Sequence, residues 1–133
     1  IPKNMQEAPK YQDCVNEVFE YLKKRGEFCI QNGIDSEKII FDCGIGFGKN
    51  LQNNIDLIKA TNRFTEILDK KHHVVMALSR KKCLTDITLR NVNECLASTI
   101  SANLMAVKYG ATILRVHDVG ECVDMLKIYK ELK

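Results

Sequence analysis

With 133 residues, 45% of them hydrophobic, the chain falls within the size of one ordinary domain and can bury a core of its own. Lys and Arg number 20 against 17 Asp and Glu, a net charge of +3 too mild to point to nucleic acid, and the four Tyr and five Phe form no base-stacking platform interleaved with basic residues. No apolar stretch approaches the roughly 20 residues of a membrane span, and the opening residues Ile1 to Gln6 contain no secretory h-region.

From about Tyr11 to Asn32 the apolar residues Val15, Val18, Phe19, Leu22, Cys29 and Ile30 recur at helical spacing. Gly33 is placed to stop that helix as the residue just past its end. Ile39 to Phe41 then read as a strand, short and apolar enough to be buried on both faces. The run stops at a carboxylate, Asp42, and Gly44, Gly46 and Gly48 alternate through the loop to Lys49. Leu51, Ile55, Ile58, Phe64, Ile67 and Leu68 predict one second helix, ended by Asp69-Lys70-Lys71. Val74 to Leu78 form a second apolar strand that stops at Ser79-Arg80-Lys81. A third helix carries Val92, Leu96, Ile100, Leu104 and Val107 and closes at Gly110. Thr112 to Val116 make the third strand, whose end holds Arg115, His117 and Asp118. Val123, Leu126, Tyr129 and Leu132 mark a last helix.

The order is therefore a helix followed by three strand–helix units, an α/β fold. Strands joined through helices run parallel. All three strand ends carry groups capable of chemistry. An open doubly wound sheet decorates only the strands near its switch point, whereas every strand of a (β/α)8 barrel contributes to one mouth. Three units do not close a barrel, so residues 1–133 are expected to be a single partial domain, the C-terminal portion of a (β/α)8 TIM barrel.

Each motif has a plain reading beside a functional one. The glycine loop departs from the phosphate-binding pattern Gly-x-x-x-x-Gly-Lys-Ser/Thr, being one residue short between Gly44 and Gly48 and having Asn50 after Lys49. Nor does it match Gly-x-Gly-x-x-Gly. It reads as a flexible turn, with Asp42 a turn or capping residue, or as backbone shaped around a ligand. Ser79-Arg80-Lys81 is either a solvated basic face or an anion site, since Arg offers a fork and Lys a point charge. Strand alternation puts Arg115 and His117 on one side. An arginine in an apolar strand is costly without a negative partner, and the start of the last helix, with Asp118 as its expected cap, lies beside them. This pair favours an anion.

Cys14, Cys29, Cys43, Cys83, Cys95 and Cys122 contain no Cys-x-x-Cys pair, and His72, His73 and His117 offer no zinc spacing. Reduced thiols in a cytoplasmic protein are expected, with Cys14, Cys29 and Cys122 as core fillers.

Asp42-Cys43-Gly44-Ile45-Gly46-Phe47-Gly48-Lys49, Ser79-Arg80-Lys81 and Arg115-Val116-His117-Asp118, in this order, resemble the last three strand-end motifs of the dihydropteroate synthase family, and Ile1-Pro2-Lys3-Asn4-Met5-Gln6 resembles the loop after that family's fifth strand. The resemblance runs over essentially the whole chain. It implies a pterin-binding barrel seen from strands six to eight with their flanking helices, the N-terminal strands being absent. It also implies a transferase of folate biosynthesis that condenses 6-hydroxymethyl-7,8-dihydropterin diphosphate with p-aminobenzoate, giving 7,8-dihydropteroate and diphosphate. By the same resemblance Asp42 and Lys81 bind the pterin, Phe47 and Ser79 line the p-aminobenzoate site, and Arg115 and His117 hold the diphosphate. Lys81, Arg115 and His117 are then the catalytic set. The family uses Mg²⁺, with a ligand expected in the absent N-terminal part, and pairs as a homodimer through its last helices. Its partners are small molecules, without nucleic acid or membrane.

The sequence departs from that pattern at Cys43, where the family has proline, at Ala77 in place of glycine, at Lys82-Cys83 in place of Ser-Phe, and at Cys95 in place of arginine. Two other readings are a methyltetrahydrofolate–corrinoid methyltransferase barrel and a non-catalytic remnant. The first has no diphosphate to bind, which Ser79-Arg80-Lys81 and the Arg115–His117 pair argue against. The 133 residues alone are expected to be inactive, because three barrel strands leave open edges and an uncovered interior.

Overall fold

A computed structural model describes residues 11–133. The stretch Ile1 to Gln6 likened to the loop after a fifth strand lies outside the described residues. Helix α1, Cys14–Gln31, begins where Asp13 accepts from the Asn16 backbone N–H and Glu17 reaches back to the Asp13 N–H. It ends in a Schellman turn: Gly33 sits at φ +92°, its N–H bonds to Ile30 O, and Ile34 N–H bonds to Cys29 O, both at 3.0 Å. Strand β1, Ile40–Phe41, follows. The expected long second helix is instead two, α2 (Leu51–Lys59) and α3 (Thr61–Phe64). The break has a local cause, because the Thr61 and Thr65 hydroxyls bond back to Ile58 O and Asn62 O and compete with the helical ladder.

Strand β2 is His73–Met76, and a short helix α4, Lys82–Thr88, comes next. The apolar spacing gave no warning of α4, which buries only Cys83 and Leu84 along one turn. Leu89 ends it at φ +57°. The third expected helix starts later than Val92, which lies in a separate 3-10 turn; α5 runs Leu96–Lys108. Strand β3, Ile113–Leu114, and helix α6, Val119–Leu132, complete the chain.

The three strands form one parallel sheet in the order β1-β2-β3, with Ile40 opposite His73 and Val75 opposite Ile113. Sequential parallel strands separated by helices are what a stretch of barrel wall requires. Burial alternates along them. Phe41, Val74, Met76 and Leu78 point into a core shared with Val18, Leu57, Phe64, Ile67 and Ala106. Their neighbours Ile40 and His73 are exposed, so β1 is covered on one face only, contrary to the expectation of a strand buried on both. That open face is the interior side of a barrel wall. Two of the histidines serve this frame: His72 Nδ1 lies 3.1 Å from Ile39 O, and His73 Nδ1 lies 3.0 Å from Thr112 Oγ1. Cys14 and Cys122 are buried as expected of core fillers, while Cys29 is only half-buried, and all six cysteines are free thiols.

Candidate active site

Continuing the pleat past the strand ends places Asp42, Ala77, Ser79, Arg115 and His117 on the open face of the sheet. The glycine loop rises from the end of β1. Asp42 Oδ1 accepts from Gly44 N–H at 2.8 Å, Asn54 Oδ1 accepts from Gly46 N–H at 2.9 Å, and Phe47 N–H bonds to Gly44 O at 3.1 Å. These three N–H groups are spent on the loop itself and on α2, which leaves none of them to cradle an anion. Gly46 stands at φ +84°, and a β-carbon there would come within 3.3 Å of the Lys81 side chain. Glycine is favoured at this position on both counts.

Two lysines fix the loop. Lys49 Nζ donates to Gly44 O at 2.9 Å and to Phe47 O at 3.0 Å. Lys81 Nζ donates to Ile45 O and stands 5.0 Å from the centre of the Phe47 ring, over its face. Burial pulls both ammonium groups below the ordinary lysine range, and for Lys81 the carboxylate of Asp42 partly opposes this. Asp42 and Lys81 therefore act on one another electrostatically across the end of the sheet.

A cavity of about 290 Å³ is lined by Ala77, Ser79, Lys81, Arg115, Val116 and His117. Four cationic or hydrogen-bond-donating side chains, Ser79, Lys81, Arg115 and His117, converge there from the ends of β2 and β3. Ser79 is buried, and its hydroxyl lies 2.9 Å from His117 Nδ1 and accepts the His117 backbone N–H at 3.2 Å. Asp42 lines a different cavity of about 410 Å³ with Tyr11, Glu17, Tyr21 and Lys49, between α1 and the end of β1. Phe47 is 43% exposed and stands at the rim above Lys81.

Asp118 holds the N-cap position of α6 but makes no capping bond. Its carboxylate instead accepts from Arg80 Nη2 at 2.8 Å. An ion pair offers that carboxylate a stronger partner than a terminal N–H. Arg80 itself sits at φ +57°, with its backbone N–H bonded to Thr99 Oγ1. Three residues of this site were not singled out by sequence reasoning. Arg80 was read only as a possible fork for an anion, and its pairing with Asp118 was not foreseen. Lys49 ended the glycine run with no assigned task. Asn54, 4% exposed, is a polar residue in a helix with nothing in its spacing to mark it.

The sequence profile of the pterin binding enzyme family matches residues 1–117. The dihydropteroate synthase of Haemophilus influenzae is 38% identical over 129 residues, covering 97% of this chain and 46% of that protein. The dihydropteroate synthase of Xanthomonas albilineans with 4-aminobenzoic acid superposes with a TM-score of 0.90 at 34% identity, covering 99% of this chain and 46% of that one. The same enzyme in complex with 7,8-dihydropteroate gives 0.90 at 34% identity over 96% of this chain and 48% of that one. The chain spans about half the length of the curated relatives it matches. Those neighbours are TIM barrels, in keeping with a parallel sheet whose open face carries the polar strand ends. With the profile match reaching from residue 1 to His117, past the end of β3, the chain belongs to the pterin-binding enzyme family.

Proposed function

We propose that the full-length protein is a dihydropteroate synthase, joining a dihydropterin-methyl diphosphate to p-aminobenzoate with release of diphosphate. The observation that carries this reading is the cavity where Lys81, Arg115 and His117 converge from two strand ends. Departure of diphosphate leaves a resonance-stabilised pterin-methyl cation that the aromatic amine attacks. Catalysis of such a step requires donors placed where negative charge grows on the leaving group. Arg115 and His117, beside the start of α6, supply them. Asp42 offers a carboxylate to the two adjacent N–H donors of an aminopyrimidine edge. Lys81, half-buried and facing Asp42's field, offers donors to the pterin's ring acceptors. Phe47 provides an aromatic surface over Lys81 for the second substrate, and Ser79 lines the same cavity as Lys81.

Mg²⁺ does not fit the described residues. No group of three or more His, Cys, Asp or Glu side chains among them is placed to hold a metal, and the cavity's Lys81 and Arg115 repel a cation. A metal carried with the diphosphate needs ligands from elsewhere in the protein.

The proposal extends to assembly and location. Helices α5 and α6 leave an apolar hollow of about 510 Å³ lined by Ile100, Leu104, Met125, Ile128 and Leu132, which suits the homodimer that the family resemblance implies. A cytoplasmic location agrees with six unpaired thiols, and no helix of the described residues is long and apolar enough to cross a membrane. The 133 residues alone are proposed to be inactive, since β1 and β3 each present an unpaired edge among the described residues.

The test is incubation of the full-length protein with the dihydropterin diphosphate and p-aminobenzoate. Stoichiometric dihydropteroate and diphosphate are expected. Pterin binding without dihydropteroate formation overturns the synthase reading in favour of another pterin-binding barrel.

A further inference from the structure

We propose that Ser79 is a positioning residue that fixes the tautomer of His117, so that the ring presents Nε2–H to an anion in the cavity lined by Lys81 and Arg115. The anion half of this proposal rests on the diphosphate reading above; the tautomer half does not.

The argument is a count of protons. A serine hydroxyl has one hydrogen to donate and two lone pairs to accept with. Ser79 Oγ uses one lone pair on the backbone N–H of His117, at 3.2 Å, and lies 2.9 Å from Nδ1 of the same residue. Ser79 is only 6% exposed, and no other partner for its hydroxyl occurs among the described residues. If Nδ1 of a neutral ring carried the proton, both Oγ contacts would be accepting ones. The O–H hydrogen would then find no protein acceptor among the described residues and would turn to the cavity that Ser79 lines, outside the contact that holds the ring. If Nδ1 is bare, the hydroxyl donates to it and every group is satisfied. This arrangement alone satisfies Ser79 and Nδ1 through one another within the protein, and it puts the neutral ring's proton on Nε2.

That outcome matters for the cavity. His117 is exposed where Ser79 is buried, so the ring edge away from Ser79 is the open one. A carboxylate in the place of Ser79 would accept Nδ1–H and leave Nε2 as a bare acceptor, repelling a phosphate oxygen. The nearest carboxylate in sequence, Asp118, is held by Arg80 at 2.8 Å. The two contacts between these loops thus divide the work: Arg80 occupies Asp118, and Ser79 sets the ring. With Lys81 and Arg115 on the same cavity, the Nε2–H adds a third donor.

Nitrogen NMR of the full-length protein, ¹⁵N-labelled at histidine and recorded above the ordinary histidine titration range, reads the tautomer directly. His117→Gln identifies the signal. The expected result is a pyrrole-like Nε2 and a pyridine-like Nδ1. In Ser79→Ala the ring becomes a tautomer mixture and inorganic diphosphate binds roughly tenfold more weakly, the loss of one well-aimed bond to a charged group. Ser79→Thr, which keeps the hydroxyl, keeps the wild-type tautomer. A wild-type ring protonated at Nδ1 overturns the proposal, whether or not any variant folds. So does a Ser79→Ala protein whose tautomer and diphosphate affinity are unchanged. An Nε2–H ring in a wild-type protein that binds no diphosphate overturns the anion half together with the diphosphate reading, and supports the ring assignment.

Discussion

Arg80 and Asp118 meet at 2.8 Å across the ends of neighbouring strands, although they are 38 residues apart in the chain. Each is next to a residue of the cavity: Arg80 lies between Ser79 and Lys81, and Asp118 follows His117. The pair therefore ties the two loops that deliver the cavity's donors. Because Arg80 is exposed, the link is expected to matter through geometry more than through stability.

Arg80→Ala and Asp118→Asn are each expected to lower kcat/KM of the full-length protein by about 10- to 100-fold, the scale of a small misplacement of catalytic groups. The double variant should be no worse than the more severe single one, since both break the same link. Steady-state kinetics decide this; losses that multiply would show that the two residues act separately.

Gly46→Ala and Gly33→Ala form a matched pair. Both residues have positive φ, +84° and +92°, and each substitution should cost about 1–2 kcal/mol of stability. A β-carbon at Gly46 meets Lys81 at 3.3 Å, while one at Gly33 meets nothing within 4 Å. Denaturant unfolding should therefore show similar losses for the two, and only Gly46→Ala should reduce turnover at permissive temperature. Equal activity in both would mean that the loop does not position Lys81.

Burial pushes the Cys43 thiol up to about 12 from 9.0, with Asp42 adding to the effect. A pKa raised by folding gives a stability contribution that is whole below the ordinary thiol pKa and is lost as pH rises through the folded value. Unfolding free energy is thus expected to fall between about 9 and about 12, with a shallower fall in Cys43→Ala. In native protein near neutral pH, iodoacetamide should label half-buried Cys29 well before buried Cys43. Rapid native labelling of Cys43 would contradict its burial.

Ile128, 61% exposed on α6, borders the apolar hollow between α5 and α6. If that surface is the homodimer contact, Ile128→Glu should convert the full-length protein to a monomer in light-scattering chromatography, through a buried unpaired charge. A dimer unaffected by the substitution places the contact elsewhere.

The strands were legible because their apolar runs end abruptly at polar groups, and α1 because its period and its terminal glycine agree. The break between α2 and α3 was not, since it depends on two threonine hydroxyls turning back on the helix while the apolar spacing continues through it. Helix α4 is too short for periodicity to register. At the site, the residue types at Asp42, Lys81, Arg115 and His117 could be read from where the strands stop. The Ser79–His117 contact could not, because it joins positions 38 apart through side-chain geometry alone. Nor could the Asp118 carboxylate be foreseen leaving its cap for Arg80, since a capping position looks the same in sequence whether or not a cation competes for it.

The most direct test of the central claim is dihydropteroate formation by full-length protein carrying Lys81→Ala, Asp42→Ala or Arg115→Ala, compared with the unaltered protein. If the three strand ends form one synthase site, each variant loses roughly 100-fold or more of its turnover while unfolding as a native protein does. Near-normal turnover in all three would show that the chemistry lies elsewhere.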